Sequence, residues 1–383
     1  MKATFTCFLI LFFQSGQAAL APLFDLSQPN VQATDVRDLS PNPFKSSIEG
    51  MASVRFYYDY WSEDPKFSFY KFKSTKTGKK LKFQSLEEKP EAPWIFYVPG
   101  IFTYLKSPFA KFFSQKLKTL GFNVVMVPNT FTADFLKANP SFLPGDIPNE
   151  ARLFCELIDE FKTKKGINQS IEVVGVSYGG LLSSSIVSQC PQQFSRLTII
   201  SPPVDMTRSM AQVFDLVDQS RKRNPSVLTS SQTWMYLKAR IGFTDQYTDL
   251  LSRFFLDGLY YTLFLLKKQT QEGARITKIH YGSRAYRLWQ KETDLKSFYL
   301  NVPNPVPENY QLSHWLGELK SKGFPFFVYS SLDDPINSKN QWKQLTQDLP
   351  QNSFGFLPKG GHLGVANSLW FDRFLQERFK EAL

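Results

Sequence analysis

The chain has 383 residues, of which 42% are hydrophobic and 16% aromatic, and this composition excludes disorder over most of its length. Its formal charge of +11 is spread along the chain among acidic residues, without a basic arm or recognition motif, which argues against nucleic-acid binding. Peripheral contact with a membrane or another anionic envelope surface fits this charge better. With three histidines and no paired cysteine spacing, the usual zinc ligand sets are absent, so we expect no metal.

The N-terminus has the order of a secretory signal. Lys2 precedes an apolar run at residues 5–13, and small and polar residues follow at 14–19. The run is shorter than the roughly 20 residues that span a bilayer, so a retained membrane anchor is the weaker interpretation. We therefore expect residues 1–19 to be a cleaved signal peptide and the protein to be exported, to the periplasm, the envelope or the medium.

Residues 20–90 predict a lead-in segment followed by antiparallel strands. The first part, up to residue 47, contains Pro, Asn and Asp without periodicity, which is typical of an extended surface segment. Residues then alternate with many Phe, Tyr and Val at 52–61 and 66–73, which predicts two strands ahead of the main sheet.

Residues 91–203 predict the first part of an α/β core. Continuous apolar runs, typical of parallel strands buried on both faces, alternate with helical patterns in the order of βαβ units. The strands are predicted at 94–98, 123–127, 171–176 and 197–200, and the helices at 108–120, 149–162 and 178–188. In the helix at 149–162 the apolar residues form one stripe, which we expect to lie on the sheet.

The alternation stops at residues 204–322, which are rich in aromatic and basic residues with helical spacing. We interpret this segment as an inserted helical cap. Its aromatic stretch at 254–266 is either a core helix or the lining of an acyl pocket or a lipid contact. Residues 323–383 resume the core pattern, with strands predicted at 326–329 and 354–357 and helices at 339–349 and 368–380.

Two cysteines, Cys155 and Cys190, remain once the signal peptide with Cys7 is removed. Two cysteines in predicted helices cannot form the disulfide framework of a small secreted scaffold. We expect buried free thiols, with a single bridge between them as the alternative.

The strongest local motif is G-x-S-x-G around Ser177, directly after a predicted strand and directly before a predicted helix. This context is typical of a nucleophile elbow. Gly175 and Gly179 fit it, because the strained turn brings neighbouring backbone too close for a side chain. Ser177 is therefore the candidate nucleophile, and a glycine-rich turn with a surface serine is the alternative.

A serine needs a base to take its proton, and in this fold order the base follows the last strand. His362 is the histidine at that place, in a loop flanked by glycines. His280 and His314 fall inside the predicted cap, where packed or surface histidines are the ordinary interpretation.

The group that orients the imidazole is expected after the strand at 326–329, where two acids stand side by side. We favour Asp334, which directly precedes Pro335, and Asp333 is the alternative. The backbone N–H groups of Ile101 and Tyr178 are the candidate oxyanion hole, because they follow the first central strand and the nucleophile. An unrelated turn after that strand is the alternative for Ile101.

These motifs together resemble the YheT-like branch of the α/β hydrolases, an ABHD-type group. The local sequences that carry the resemblance are PGI at 99–101, SPF at 107–109, GVSYGG at 175–180, SPPVD at 201–205, DDPI at 333–336 and GGHLG at 360–364. The resemblance covers residue 94 to the C-terminus and is weakest across the cap. Departures are Pro99 for the usual His, Tyr178 for Leu and Val365 for Phe.

The resemblance implies the α/β-hydrolase fold and a carboxylesterase or lipid acyl hydrolase. We therefore expect a serine hydrolase that needs no cofactor and cleaves a small-molecule ester or a lipid through an acyl-enzyme intermediate. Thioesters and peptides are alternative substrates, since the same residues would serve them, and an inactive envelope or partner-binding protein is the alternative to an enzyme. The sequence leaves the physiological substrate and the oligomeric state open.

Overall fold

The structure is a computed structural model that describes residues 65–73, 80–101, 103–132, 144–212, 308–364 and 369–380. Four isolated positions are also described, namely Ser47, Phe135, Asp215 and Ala366. The predicted signal segment 1–19, the strand at 52–61, the aromatic stretch 254–266 and His280 lie outside the described residues.

In the described part of the chain, eight strands form one sheet in the order β1-β2-β4-β3-β5-β6-β7-β8. The strands are β1 (Ser68–Lys73), β2 (Lys80–Leu86), β3 (Trp94–Val98), β4 (Asn123–Met126), β5 (Ile171–Val176), β6 (Phe194–Ile200), β7 (Phe326–Ser331) and β8 (Phe354–Leu357). The six strands from β3 to β8 pair in parallel, whereas β1 and β2 are antiparallel to their neighbours. The predicted mostly parallel α/β sheet is confirmed.

Helices pack on both faces of the sheet. They are α1 (Pro108–Thr119), α2 (Ile147–Lys165), α3 (Tyr178–Gln189), α4 (Leu312–Ser321), α5 (Lys339–Gln347) and α6 (Leu369–Phe379). Successive residues of β3 point to opposite faces, so Phe96 joins the cluster formed with α2, α3, α4 and α5, and Tyr97 joins the cluster formed with α1 and α6. The predicted apolar stripe of α2 lies in the first cluster.

Local sequence explains several helix ends. Pro108 opens α1, and the side chain of Ser107 accepts a hydrogen bond from the N–H of Ala110. Gly166 ends α2 in the left-handed conformation, with φ of 66°. Ser107 and Pro108 place the first turn of α1 directly after the loop that follows β3. This loop is one of those around the candidate site.

The strand β2 is absent from the prediction. Gln84 and Ser85 are polar yet buried, so its sequence shows alternation only in its first half. The burial of Gln84 is compensated because its Oε1 accepts a hydrogen bond from the N–H of Lys106, 3.1 Å away. Because the partner of Gln84 is distant in sequence, the hydrophobic pattern does not predict this strand.

The described part of the predicted cap includes α4. Its residues Leu312, Leu316 and Leu319 are fully buried, and they belong to the same hydrophobic cluster as α3. The helix therefore packs directly against the helix that follows the candidate nucleophile.

Cys155 of α2 and Cys190 at the end of α3 form a disulfide, with their Cα atoms 6.2 Å apart. The expectation of free thiols is wrong, and the alternative of one bridge is confirmed. The two helices lie side by side on one face of the sheet, a proximity that helical periodicity alone does not reveal.

Replacing both cysteines with serine is expected to lower the free energy of unfolding by about 3–4 kcal/mol, since the bridge closes a loop between residues 35 apart. Urea unfolding of the oxidised wild type and of Cys155→Ser/Cys190→Ser measures the difference. Reductant should lower the midpoint of the wild type and leave that of the variant unchanged. Equal midpoints for oxidised and reduced wild type would contradict the expectation.

Candidate active site

Ser177 stands in a strained turn between β5 and α3. Its φ is 55° and its ψ is −128°, a backbone conformation that residues other than glycine rarely adopt. The backbone N–H of Ser177 donates to the carbonyl oxygen of Ile200, 2.8 Å away, at the end of the neighbouring strand. The turn therefore holds the serine at the carboxyl edge of the sheet, where ligands bind in open α/β folds.

The glycines of the motif are required by close backbone contacts. A Cβ atom on Gly175 would overlap the side chain of Ser183 and the carbonyl oxygen of Gly179. A Cβ atom on Gly179 would overlap the carbonyl oxygens of Val98 and Pro99. A side chain at either position would push the turn away from the end of β3.

The structure brings Ser177, His362 and Asp334 together, and we call these three residues the serine cluster. Nε2 of His362 lies 2.9 Å from Oγ of Ser177, and Nδ1 lies 2.9 Å from Oδ2 of Asp334. With its proton on Nδ1, the ring donates to Asp334 and Nε2 accepts from the serine hydroxyl. Asp334 is buried, with 1% of its surface exposed, so its charge faces the ring with little screening.

The neighbouring acid, Asp333, has a different partner. Its Oδ1 accepts a hydrogen bond from the backbone N–H of Gly361, 2.8 Å away, in the loop that carries His362. Burial raises the pKa of Asp333 above its usual value, while hydrogen bonds from the glycine N–H groups oppose the rise. Of the two acids considered from sequence, Asp334 contacts the ring and Asp333 holds the loop.

The histidine loop depends on glycine and on a residue from the lead-in segment. Gly360 and Gly361 have φ of 146° and 57°, values that glycine adopts without strain. The N–H of His362 donates to Oγ of Ser47, 2.6 Å away. No sequence signal points to Ser47, because it is 315 residues from its partner in a segment without periodicity.

The two predicted oxyanion donors lie beside the serine on different elements. Tyr178 is the first residue of α3, so its N–H has no acceptor within the helix and lies at the positive end of the helix dipole. Ile101 follows Gly100, and a Cβ atom on Gly100 would lie 3.2 Å from Cβ of Ser177. The loop that carries Ile101 therefore approaches Ser177 closely at Gly100.

A buried acid, Glu150, contacts the side chain of the residue that follows Ser177. Glu150 of α2 is fully buried and accepts hydrogen bonds from the hydroxyl of Tyr178 at 2.8 Å, from Oγ1 of Thr130 at 3.0 Å and from the N–H of Gly145 at 2.5 Å. Burial raises its pKa to about 7, although these three hydrogen bonds favour the ionised form. Sequence reasoning missed Glu150, since an acid in the first turn of a helix is ordinary.

The raised pKa of Glu150 predicts a pH-dependent stability. In the unfolded chain this carboxyl has a pKa near 4.5, whereas in the folded protein it keeps its proton up to a pH of about 7. The free energy of unfolding that this group contributes is therefore fully present below pH 4.5 and is lost as the pH rises through about 7. Between pH 4.5 and pH 8, we expect the free energy of unfolding of wild type to fall by about 3 kcal/mol relative to that of Glu150→Gln. Urea unfolding of both proteins across this range measures the difference, and a difference that does not change with pH would contradict the expectation.

His314 contacts two glutamates and none of the three residues of the serine cluster. In α4 its ring nitrogens lie 3.5 Å from Glu308 and 3.4 Å from Glu318.

Among the described residues, no group of three or more His, Cys, Asp or Glu side chains is placed to hold a metal ion. No helix in the same part of the chain is both long enough and apolar enough to cross a membrane.

The sequence profile of the alpha/beta hydrolase fold matches residues 93–367. The chain belongs to the α/β-hydrolase family. Membership of this family supports an enzyme with hydrolase activity. The YheT-like branch stays a prediction from the local motifs.

Solved structures of other α/β hydrolases resemble this one at low sequence identity. An esterase from Pyrococcus furiosus is 10% identical with a TM-score of 0.49, covering 82% of this chain and 91% of its own. A 2-hydroxy-6-oxo-6-phenylhexa-2,4-dienoate hydrolase from Rhodococcus is 14% identical with a TM-score of 0.48, covering 82% of this chain and 99% of its own. A haloalkane dehalogenase from Bradyrhizobium elkani is 13% identical with a TM-score of 0.45, covering 82% of this chain and 98% of its own. No curated protein sequence matches this hydrolase significantly.

Proposed function

We propose that this α/β hydrolase is an exported serine hydrolase that cleaves carboxylic esters through an acyl-enzyme intermediate on Ser177. The observation that carries the proposal is the geometry of the serine cluster, in which one imidazole contacts a hydroxyl and a buried carboxylate at 2.9 Å each. A nucleophile, a base and a group that orients the base are the parts that acyl transfer requires.

In the first half-reaction, Nε2 of His362 takes the proton from Ser177 as Oγ attacks the ester carbonyl. Asp334 holds the ring and stabilises the imidazolium that forms. The N–H groups of Ile101 and Tyr178 donate hydrogen bonds to the negatively charged substrate oxygen and stabilise it. His362 then gives its proton to the leaving alcohol, and the acyl group stays on Ser177.

In the second half-reaction, His362 takes a proton from water, and the resulting hydroxide attacks the acyl carbonyl. Collapse of the tetrahedral intermediate returns the proton to Ser177 and releases the carboxylic acid. The reaction consumes one water for each ester bond and needs no cofactor.

Esters are the proposed substrate class because the resemblance to the YheT-like branch implies carboxylesterases and lipid acyl hydrolases. A small-molecule ester or a lipid with an apolar acyl group is the expected ligand. The basic composition supports peripheral contact with a membrane or an anionic envelope surface. The export proposal rests on residues 1–19, and an N-terminus near residue 20 in the mature protein, found by mass spectrometry, would support it.

The test is pre-steady-state hydrolysis of p-nitrophenyl esters with acyl chains of about two to twelve carbons. We expect an initial burst of p-nitrophenol close to the enzyme concentration, followed by slower turnover, because p-nitrophenolate is a good leaving group and acylation should be faster than deacylation. Parallel assays with an acyl thioester and a peptide p-nitroanilide separate the alternative substrates. Activity on neither esters nor thioesters nor peptides would overturn the proposal in favour of an inactive binding protein.

A further inference from the structure

The carboxyl group of Glu150 is buried without a cation beside it. In the described part of the chain, no Lys, Arg or His forms an ion pair with Glu150, and its three hydrogen-bond donors are uncharged. The ionisable groups that face it are Asp146, the residue directly before α2, the half-buried Tyr310 and the fully buried Tyr178. Burying a carboxyl is costly even when it is hydrogen-bonded, so its position calls for an explanation.

One of these donors is the side chain of the residue that directly follows the nucleophile. The Tyr178 ring is buried, with 2% of its surface exposed, and it packs edge-on against Phe131 at a centroid distance of 5.3 Å. Its hydroxyl donates to Glu150 at 2.8 Å. The side chain of Tyr178 is thus fixed at its far end, while its backbone opens α3 beside Ser177.

A second donor to Glu150, Thr130, connects it to the loop after β3. Thr130 donates to the same carboxyl oxygen, Oε2 of Glu150, and the preceding residue, Asn129, is buried. Nδ2 of Asn129 donates to the carbonyl oxygen of Pro99 at 3.0 Å, and its backbone N–H donates to the carbonyl oxygen of Thr103 at 3.0 Å. These two bonds bracket the segment 99–103, which contains Ile101.

We propose that Glu150 is a positioning residue that sets both N–H donors of the oxyanion hole, Tyr178 through its hydroxyl and Ile101 through Thr130 and Asn129. The inference rests on the proposed function. An oxyanion donor acts through a distance of about 3 Å to an oxygen that is charged only in the transition state, so small displacements of the backbone lower turnover more than substrate binding. Glu150 itself does not contact the substrate.

The test uses Glu150→Gln, Tyr178→Phe and the double variant. The first change presents an amide NH₂ group to at least one of the donors, and the second keeps the aromatic ring but removes its hydroxyl. Glu160→Gln is the matched control, because Glu160 is an acid on the same helix that pairs with Lys164 at the surface. Rates of p-nitrophenyl ester hydrolysis are divided by the concentration of serine that a fluorophosphonate probe labels, so that unfolded protein does not count.

We expect each single variant to lower kcat per labelled serine by about 10- to 100-fold, with KM within about twofold. The double variant should be no slower than the slower single variant, because the hydroxyl of Tyr178 acts through the carboxyl that Glu150→Gln replaces. The affinity for phenylboronic acid, whose tetrahedral adduct places an oxygen in the oxyanion hole, should fall by the same factor as kcat/KM. Glu160→Gln should match wild type in every readout.

A purely structural role for Glu150 would give fewer labelled serines with unchanged kcat per labelled serine, and this result would overturn the proposal. Independent losses that multiply in the double variant would overturn it as well. The proposed function has a separate failure, in which wild type itself neither takes the probe nor cleaves the ester. In that case the inference about Glu150 falls with it.

Discussion

Replacing Ser177 with Ala is expected to lower kcat by about 10⁴- to 10⁶-fold while the protein keeps its fold. The hydroxyl is the atom 2.9 Å from Nε2 of His362, and removing it leaves the base without a nucleophile. Alanine keeps the Cβ atom that faces Gly100, so we expect the turn to keep its position. Steady-state ester hydrolysis measures the loss, and thermal unfolding shows whether the fold is intact.

Ser201 offers the matched control for this variant. It also follows a strand of the sheet and also has a positive φ, of 47°, and it is buried. Ser201→Ala should hydrolyse esters within about threefold of wild type, because its side chain is not part of the serine cluster. A Ser177→Ala protein that retains more than about 1% of wild-type activity would show that the chemistry occurs elsewhere.

Replacing Asp334 with Asn is expected to lower kcat by about 10⁴-fold, the loss typical of an orienting acid in such a cluster. Oδ2 of Asp334 accepts from Nδ1 of His362, and an amide at this place can donate to Nδ1 instead, which favours the wrong tautomer. The amide also removes the charge that stabilises the imidazolium. Steady-state kinetics on one ester measures the effect.

Asp333→Asn provides the comparison, since the two acids are adjacent and differ in their partners. Its Oδ1 accepts from the N–H of Gly361, and an amide oxygen can do the same. We expect this variant to lose less than about tenfold in kcat. If Asp333→Asn were as slow as Asp334→Asn, the division of roles between the two acids would be wrong.

The parts of the fold that the sequence predicts well depend on local patterns. The strands at 94–98, 171–176 and 354–357 have the same bounds in the structure, because each is a short run bounded by turn residues. The turn at Ser177 was predictable for the same reason, since the strand, the two glycines and the helix are contiguous. The order of the acid and histidine loops placed Asp334 and His362 near the serine.

The parts that the sequence does not reveal depend on contacts between distant segments. Glu150 is in a predicted core helix, but its partner Tyr178 is 28 residues away on another helix, and the rotation of each helix decides the contact. The same holds for the bridge between Cys155 and Cys190. Sequence order favoured Asp334 but kept Asp333 as an alternative, because their separate roles depend on the approach of the loop at Gly361.

Ser177 is proposed to be an activated nucleophile, and covalent labelling tests this proposal without knowledge of the substrate. The purified protein is treated with a fluorophosphonate probe, and the adduct is mapped by mass spectrometry of its peptides. We predict one adduct, on Ser177, that is absent from Ser177→Ala and strongly reduced in His362→Ala. A folded wild-type protein that takes no probe, or an adduct that persists in Ser177→Ala, would contradict the proposal.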